Sequence, residues 1–192
     1  MKYVNVKKMV VFSMLAALSY ALVTLGFPLL PNFPFLKLDF GDIPVLIGTF
    51  IYGIGGGVSV AFIRSLLHFV ITGAGMLNLV GDFASFLATV LYLIPIHMIY
   101  QRKKGKKNAF LGVIIATVFL TIFMTIANYF VLTPLYVKLL GFSYGIPMKQ
   151  VMITGIIPFN LIKGLAVGGI YVVVQQKMLV WLSSKLYQNK KI

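Results

Sequence analysis

Few side chains in this sequence can do chemistry. The acids are Asp39, Asp42 and Asp82 alone, with no Glu and no Cys. Set into otherwise apolar runs are Asn78, Asn128, Asn160, Arg64 and Lys163, and two histidines, His68 and His97. Asn78 and Asp82 stand four apart, and Asn160 and Lys163 three apart, so each pair shares one helix face. Bond-breaking chemistry finds no support. No Ser sits with a plausible base, and no two carboxylates lie on one helix at an acid/base spacing. The Gly-rich stretch 53–59 lacks the Lys of a phosphate-binding loop. No Asp-Gly…Asp…Asp run of a metal-dependent headgroup transferase occurs. His68 and His97 lie on different runs without the three or four companions a metal needs. The missing Cys excludes disulfides and thiol chemistry. What remains is binding.

The elements that hold these residues are dictated by composition. Of 192 residues, 60% are hydrophobic and 10% charged; ordinary globular chains run near ~45–50% and ~25%. That excess points to lipid as the solvent and excludes a soluble enzyme or a disordered chain. Apolar runs at 9–26, 43–53, 58–72, 79–100, 110–132 and 152–182 predict six helices, the second and third short. The stretch 9–26 reads as a first span rather than a cleaved signal. Pro28, Pro31 and Pro34 forbid a regular helix between the first two. Gly55-Gly56-Gly57 predicts a flexible break, and 139–150 a loop. The expected architecture is all-α: one polytopic transmembrane domain over 1–192.

The net charge is +14. Lys2, Lys7 and Lys8 precede the first span, Arg102 to Lys107 join the fourth and fifth, and Lys185, Lys190 and Lys191 follow the sixth. An even number of spans gathers all three groups on one side. The positive-inside rule makes that side, with both termini, cytoplasmic. The cations therefore read as topological anchors, not as a nucleic-acid-binding face.

A polar side chain at membrane depth is costly and faces a cavity, a partner or another polar group. Asp39, Asp42, Asn78, Asp82, Asn128, Asn160 and Lys163 come from four separated segments and fall at one depth near the outer surface. They predict one outward-open pocket roofed by the Pro-rich loop. Plainer roles stand beside this: Asp42 as a helix N-cap, Asn78 or Asp82 as a cap or a partner of Arg64, and Asn128 as a bond between helices. Lys163 has no Glu to pair with and is too deep to snorkel easily. A channel would need polarity across the whole depth, and here it stops near one side. On the first helix Ser13, Ala17 and Ala21 recur every four residues, a spacing that allows close approach by another helix.

The segments Leu36–Pro44, Asn78–Phe83, Ala127–Phe130, Thr133–Tyr136 and Pro158–Lys163, with the Ala17/Ala21 pair, resemble the S components of energy-coupling factor (ECF) vitamin transporters. Within that family the likeness is to the riboflavin-specific members. It runs over nearly the whole chain. Asn128-Tyr129…Pro134…Tyr136 and Pro158-Phe159-Asn160…Lys163 are its specific parts. The resemblance implies a bacterial cell-membrane subunit that captures riboflavin as transported substrate, with no cofactor and no enzymatic activity. It implies a separate membrane coupling protein and two ATPases as partners, with Ser13, Ala17 and Ala21 as the docking face. It implies a substrate site at Asp39, Phe40, Asn78, Gly81, Asn128, Tyr129, Asn160 and Lys163. Asn128 and Asn160 would read the pyrimidine edge of the flavin, Lys163 would donate to ring acceptors, and Asp39, Asn78 or loop backbone would meet the ribityl hydroxyls. The alternatives are an S component for thiamine, biotin or pantothenate, and a small lipid-acting enzyme.

Overall fold

The computed structural model describes the backbone of residues 6–33, 35–140 and 145–189. Pro34, Lys2, Lys190 and Lys191 lie outside the described residues, as does the Lys185 side chain. The long helices are α1 (Val6–Thr24), α2 (Asp42–Ile71), α3 (Met76–Arg102), α4 (Lys106–Ala127) and α7 (Ile157–Asn189). Two short helices, α5 (Thr133–Leu140) and α6 (Met148–Val151), lie between α4 and α7. A two-residue ladder pairs β1 (Phe27–Pro28) antiparallel with β2 (Lys37–Leu38) inside the Pro-rich loop. Five helical stretches are long and apolar enough to cross a membrane.

α2 is a folded-back pair. Gly53 takes φ +74°, a left-handed conformation that favours glycine. Asp42 and Arg64 lie 22 positions apart yet touch at 2.7 Å; a straight helix would separate them by about 33 Å. The arms 42–52 and 54–71 therefore run antiparallel. The break falls at Gly53 and not at Gly55-Gly56-Gly57, which are helical. Gly56 and Gly57 instead let the arms approach: a Cβ at Gly56 would stand 2.9 Å from the Gly48 carbonyl, and one at Gly57 would strike Thr49.

Large apolar residues face outward, where a water-soluble helix would be polar, and the inward face carries many small ones. On α4, Ala109, Gly112, Ala116 and Thr117 are buried, while Phe110, Val118, Ile122 and Ile126 are exposed. The buried threonines of α4 return their hydroxyls to their own helix, Thr117 to the Val113 carbonyl at 2.8 Å and Thr121 to that of Thr117 at 2.7 Å, so neither hydroxyl is stranded. α1 packs on α2, α2 on α3, α3 on α4 and α4 on α7, and α7 also meets α2.

The helix of the fifth apolar run does not stop at 132. A wide i→i+5 turn at Asn128–Leu132 leads into α5, and a second at Met152–Ile156 leads into α7. Pro134 and Pro158 each stand second in the helix that follows. A proline lacks the N–H of a regular ladder and its ring crowds the carbonyl four residues back. The wide turn absorbs both effects. Part of the expected loop 139–150 is likewise helical, as the end of α5 and as α6.

Candidate substrate-binding site

A cavity of about 530 Å³ opens between α3, α4, α5 and α7 under the Pro-rich loop. Its wall is mostly apolar, with Phe35 and Leu36 of the loop, Met124 and Leu132 among the contributors. Three of its polar groups come from the Asn128 and Pro158–Lys163 segments. Asn128 and Asn160 are set by the two wide turns, one opening the first and the other four residues beyond the end of the second. Each Nδ2 donates to the carbonyl four residues back, Asn128 to Met124 and Asn160 to Ile156, both at 2.8 Å. A carboxamide has two donors and an acceptor oxygen, so each retains an N–H and an oxygen for a guest. Lys163 lies on the same wall and the same helix face as Asn160, with Nζ 5.9 Å from the Phe159 ring centroid.

The cavity also touches Asp42, Thr89 and Tyr92. Asp42 does not cap its helix; no side chain does. Its Oδ1 accepts from Arg64 Nη1 and from Thr89 Oγ1, both at 2.7 Å, and Arg64 Nη2 donates to Thr89 Oγ1 at 2.9 Å. Arg64 is buried, and burying an unpaired cation would cost several kcal/mol, roughly 3–5 on loss of its partner. The hairpin at Gly53 supplies that partner. Tyr92 donates its hydroxyl to the Gly164 carbonyl at 2.5 Å, fixing α3 against α7 beside Lys163.

The remaining expected residues fall elsewhere. Gly81 lines the cavity, and a Cβ there would come within 3.0 Å of the Tyr136 hydroxyl. Asp39 is not on the wall but reaches it through Lys163, 2.7 Å from its Oδ2. Phe40 packs against the helical core. Tyr129 is 43% exposed beside Phe130. Asn78 donates to the carbonyls of Thr72 and Gly73 at 3.1 and 2.9 Å, closing the turn between α2 and α3. Asp82 pairs with His68, Nδ1 to Oδ1 at 2.6 Å, not with Arg64. Asn78, Asp82, His68 and Arg64 line a second space of about 380 Å³ that shares Gly81, Ser85 and Tyr136 with the first. Thr89, Tyr92, Met124, Thr133 and Tyr136 line the main cavity although sequence reasoning did not choose them as site residues. Tyr136 and Thr133 belong to the Thr133–Tyr136 segment that resembles the family; Tyr92 and Met124 carry no signal, being ordinary residues of apolar helices.

On α1, Ser13, Ala17 and Ala21 are exposed, while Ala16 and Ser19 on another face are buried.

Residues 7–175 match the family described as ECF transporter, substrate-specific component. The chain is 36% identical over 173 residues to the riboflavin transporter RibU of Staphylococcus aureus, covering 90% of each protein. It is 32% identical over 184 residues to the riboflavin transporter FmnP of Bacillus subtilis, covering 94% of this chain and 96% of that one. A solved structure of the S component of a bacterial ECF transporter superposes with a TM-score of 0.79 at 37% identity, covering 93% of this chain and 99% of the other. These relatives are transport subunits of the bacterial membrane, not enzymes. The chain belongs to the substrate-specific components of ECF transporters.

Proposed function

We propose that this protein captures riboflavin at the outer face of the bacterial cell membrane and hands it to an ECF module for uptake. One observation carries the reading: two carboxamides and an ammonium converge on a largely apolar cavity of about 530 Å³, within the range that encloses small organic ligands. The isoalloxazine ring is flat and apolar along one edge. Its other edge presents one N–H between two carbonyls. The Asn128 and Asn160 oxygens can accept from the N–H, while their remaining N–H groups and Lys163 donate to the ring acceptors. The names borne by the relatives at 32–36% identity support riboflavin over other vitamins.

The arms of α2 are about 16 and 27 Å long at 1.5 Å per residue. Counted separately, they give six helical segments, the first arm too short to cross the core by itself, and the reversal between them returns both termini to one side. The basic segment from Arg102 to Lys107 lies between α3 and α4 at that same end, which supports a cytoplasmic assignment. Residues 1–192 then act as one substrate-binding domain. The exposed row Ser13, Ala17 and Ala21 supports α1 as the face that meets the coupling protein. Two ATPases on that protein supply the energy, which agrees with the missing nucleotide motif here.

The test is an equilibrium titration of purified protein in detergent. Riboflavin is expected to bind stoichiometrically with its fluorescence quenched and the protein turning yellow. No quenching, with saturable binding of thiamine, biotin or pantothenate instead, would replace the vitamin and keep the family.

A further inference from the structure

Lys163 is the one Lys, Arg or His on the main cavity wall among the described residues, and it does not stand alone. Its Nζ lies 2.7 Å from Asp39 Oδ2. The other carboxylate oxygen of Asp39 accepts from the Gly41 N–H at 2.9 Å. Gly41 is itself held from α1: buried Ser19 donates its hydroxyl to the Gly41 carbonyl at 2.5 Å. There is little slack around this segment. A Cβ at Gly26 would stand 3.1 Å from the Asp39 Cβ, and one at Gly41 3.1 Å from Asp39 Oδ1 and closer still to Val23. Asp39 is thus fixed by backbone and by α1, while Lys163 has a long flexible stem with rotatable donors.

We infer that Asp39 is a positioning residue: it aims the Lys163 ammonium into the cavity rather than touching the substrate. This replaces the ribityl contact expected for it, and it rests on the riboflavin reading above only for its affinity arm. Each carboxylate oxygen is engaged, one by the Gly41 N–H and the other by Lys163, and Asp39 is absent from the cavity wall. An ammonium held by one carboxylate oxygen keeps two N–H donors for a guest. The pair joins the Pro-rich loop to α7.

The test has a guest-free arm and a guest-bound arm. In the empty protein, reductive methylation read by peptide mass spectrometry is expected to modify Lys163 about tenfold faster in Asp39→Asn than in wild type. Lys138 serves as the unchanged reference. Equal rates at Lys163 would overturn the inference, whatever the vitamin is. In the guest-bound arm, Asp39→Asn is expected to weaken riboflavin binding about tenfold, and the double variant with Lys163→Gln to bind no more weakly than Lys163→Gln alone. Additive losses would mean that Asp39 acts independently of Lys163 and would overturn the inference. Asp39→Glu guards against a variant that fails to fold. It keeps the charge, so Lys163 should stay protected from methylation while affinity falls because the longer arm displaces the ammonium. Unchanged affinity in Asp39→Glu would also count against positioning. Failure of wild type to bind riboflavin would sink the proposed substrate and leave the methylation result to decide the role of Asp39.

Discussion

Gly164 and Gly168 on α7 stand four apart, as Ala17 and Ala21 do on α1, but the two rows have different neighbours. The α7 row is covered from within the chain. A Cβ at Gly164 would lie 2.7 Å from the Thr117 side chain, and one at Gly168 would run into Val113 and the Tyr92 hydroxyl. The α1 row, with Ser13, is exposed. In lipid there is no hydrophobic force to drive helices together, so association rests on close packing and interhelical bonds. A covered row holds the fold, and a bare one is available to another molecule. Spacing cannot distinguish them; only the position of the neighbouring helix does.

The sharpest way to break this contrast is Gly168→Leu. Val113 and Tyr92 are nearly fully buried, and Val113 already fills the space a Cβ would need. The substitution is expected to cost about 3 kcal/mol and to lower the melting temperature of the purified protein steeply. Wild-type melting would mean that α4 and α7 do not pack as described. Lys163→Ala and Asn128→Ala probe the boundary between packing and binding, since Lys163 adjoins Gly164 in sequence but faces the cavity. Lys163→Ala is expected to weaken binding by roughly 1.5–3 kcal/mol, about 10–150-fold, as for a charge-assisted hydrogen bond, and Asn128→Ala by about 0.5–1.5 kcal/mol, as for a neutral one. The melting temperature of the empty protein should move far less than in Gly168→Leu. Unchanged dissociation constants in both variants would remove these residues from the site.

The same contrast explains what could be read from the chain beforehand. Asn128, Asn160 and Lys163 were legible because a polar group in a lipid-embedded helix is expensive and therefore conspicuous, and the cavity gathers all three. The bare α1 row is legible by its spacing; the α7 row, although its glycines are smaller still, is not. Its meaning depends on Thr117 and Val113, which lie far away in sequence. The Asp42–Arg64 pair was hidden for a related reason. Only the reversal at Gly53 brings two residues of one helical stretch together, and the triple glycine drew attention to the wrong place. His68 looked solitary because Asp82 reaches it from another helix.

Asn78→Ala tests a smaller effect. Its amide closes the turn between α2 and α3 at an exposed site, so its loss should cost about 1 kcal/mol. It should leave riboflavin affinity nearly unchanged, because Asn78 is absent from the main cavity wall. A tenfold loss of affinity in the titration would return it to the substrate site.

Ala17→Leu should have the least effect on the isolated protein and so decides the meaning of the bare row. Ala17 is exposed among residues such as Met14 and Leu18, themselves 68% and 52% exposed. A larger apolar side chain there meets lipid tails instead of another helix. Melting temperature and riboflavin affinity should remain close to wild type, with a stability change within about 0.5 kcal/mol. In cells carrying the ECF module, uptake should fail, because the added side chain holds a partner helix away from the α1 backbone. The substitution thus separates capture from delivery in a way Gly168→Leu cannot, since that variant compromises both through the fold. Normal uptake by Ala17→Leu and by Ala21→Leu would show that the coupling protein docks on another face, and the α1 row would then be only a lipid-facing surface.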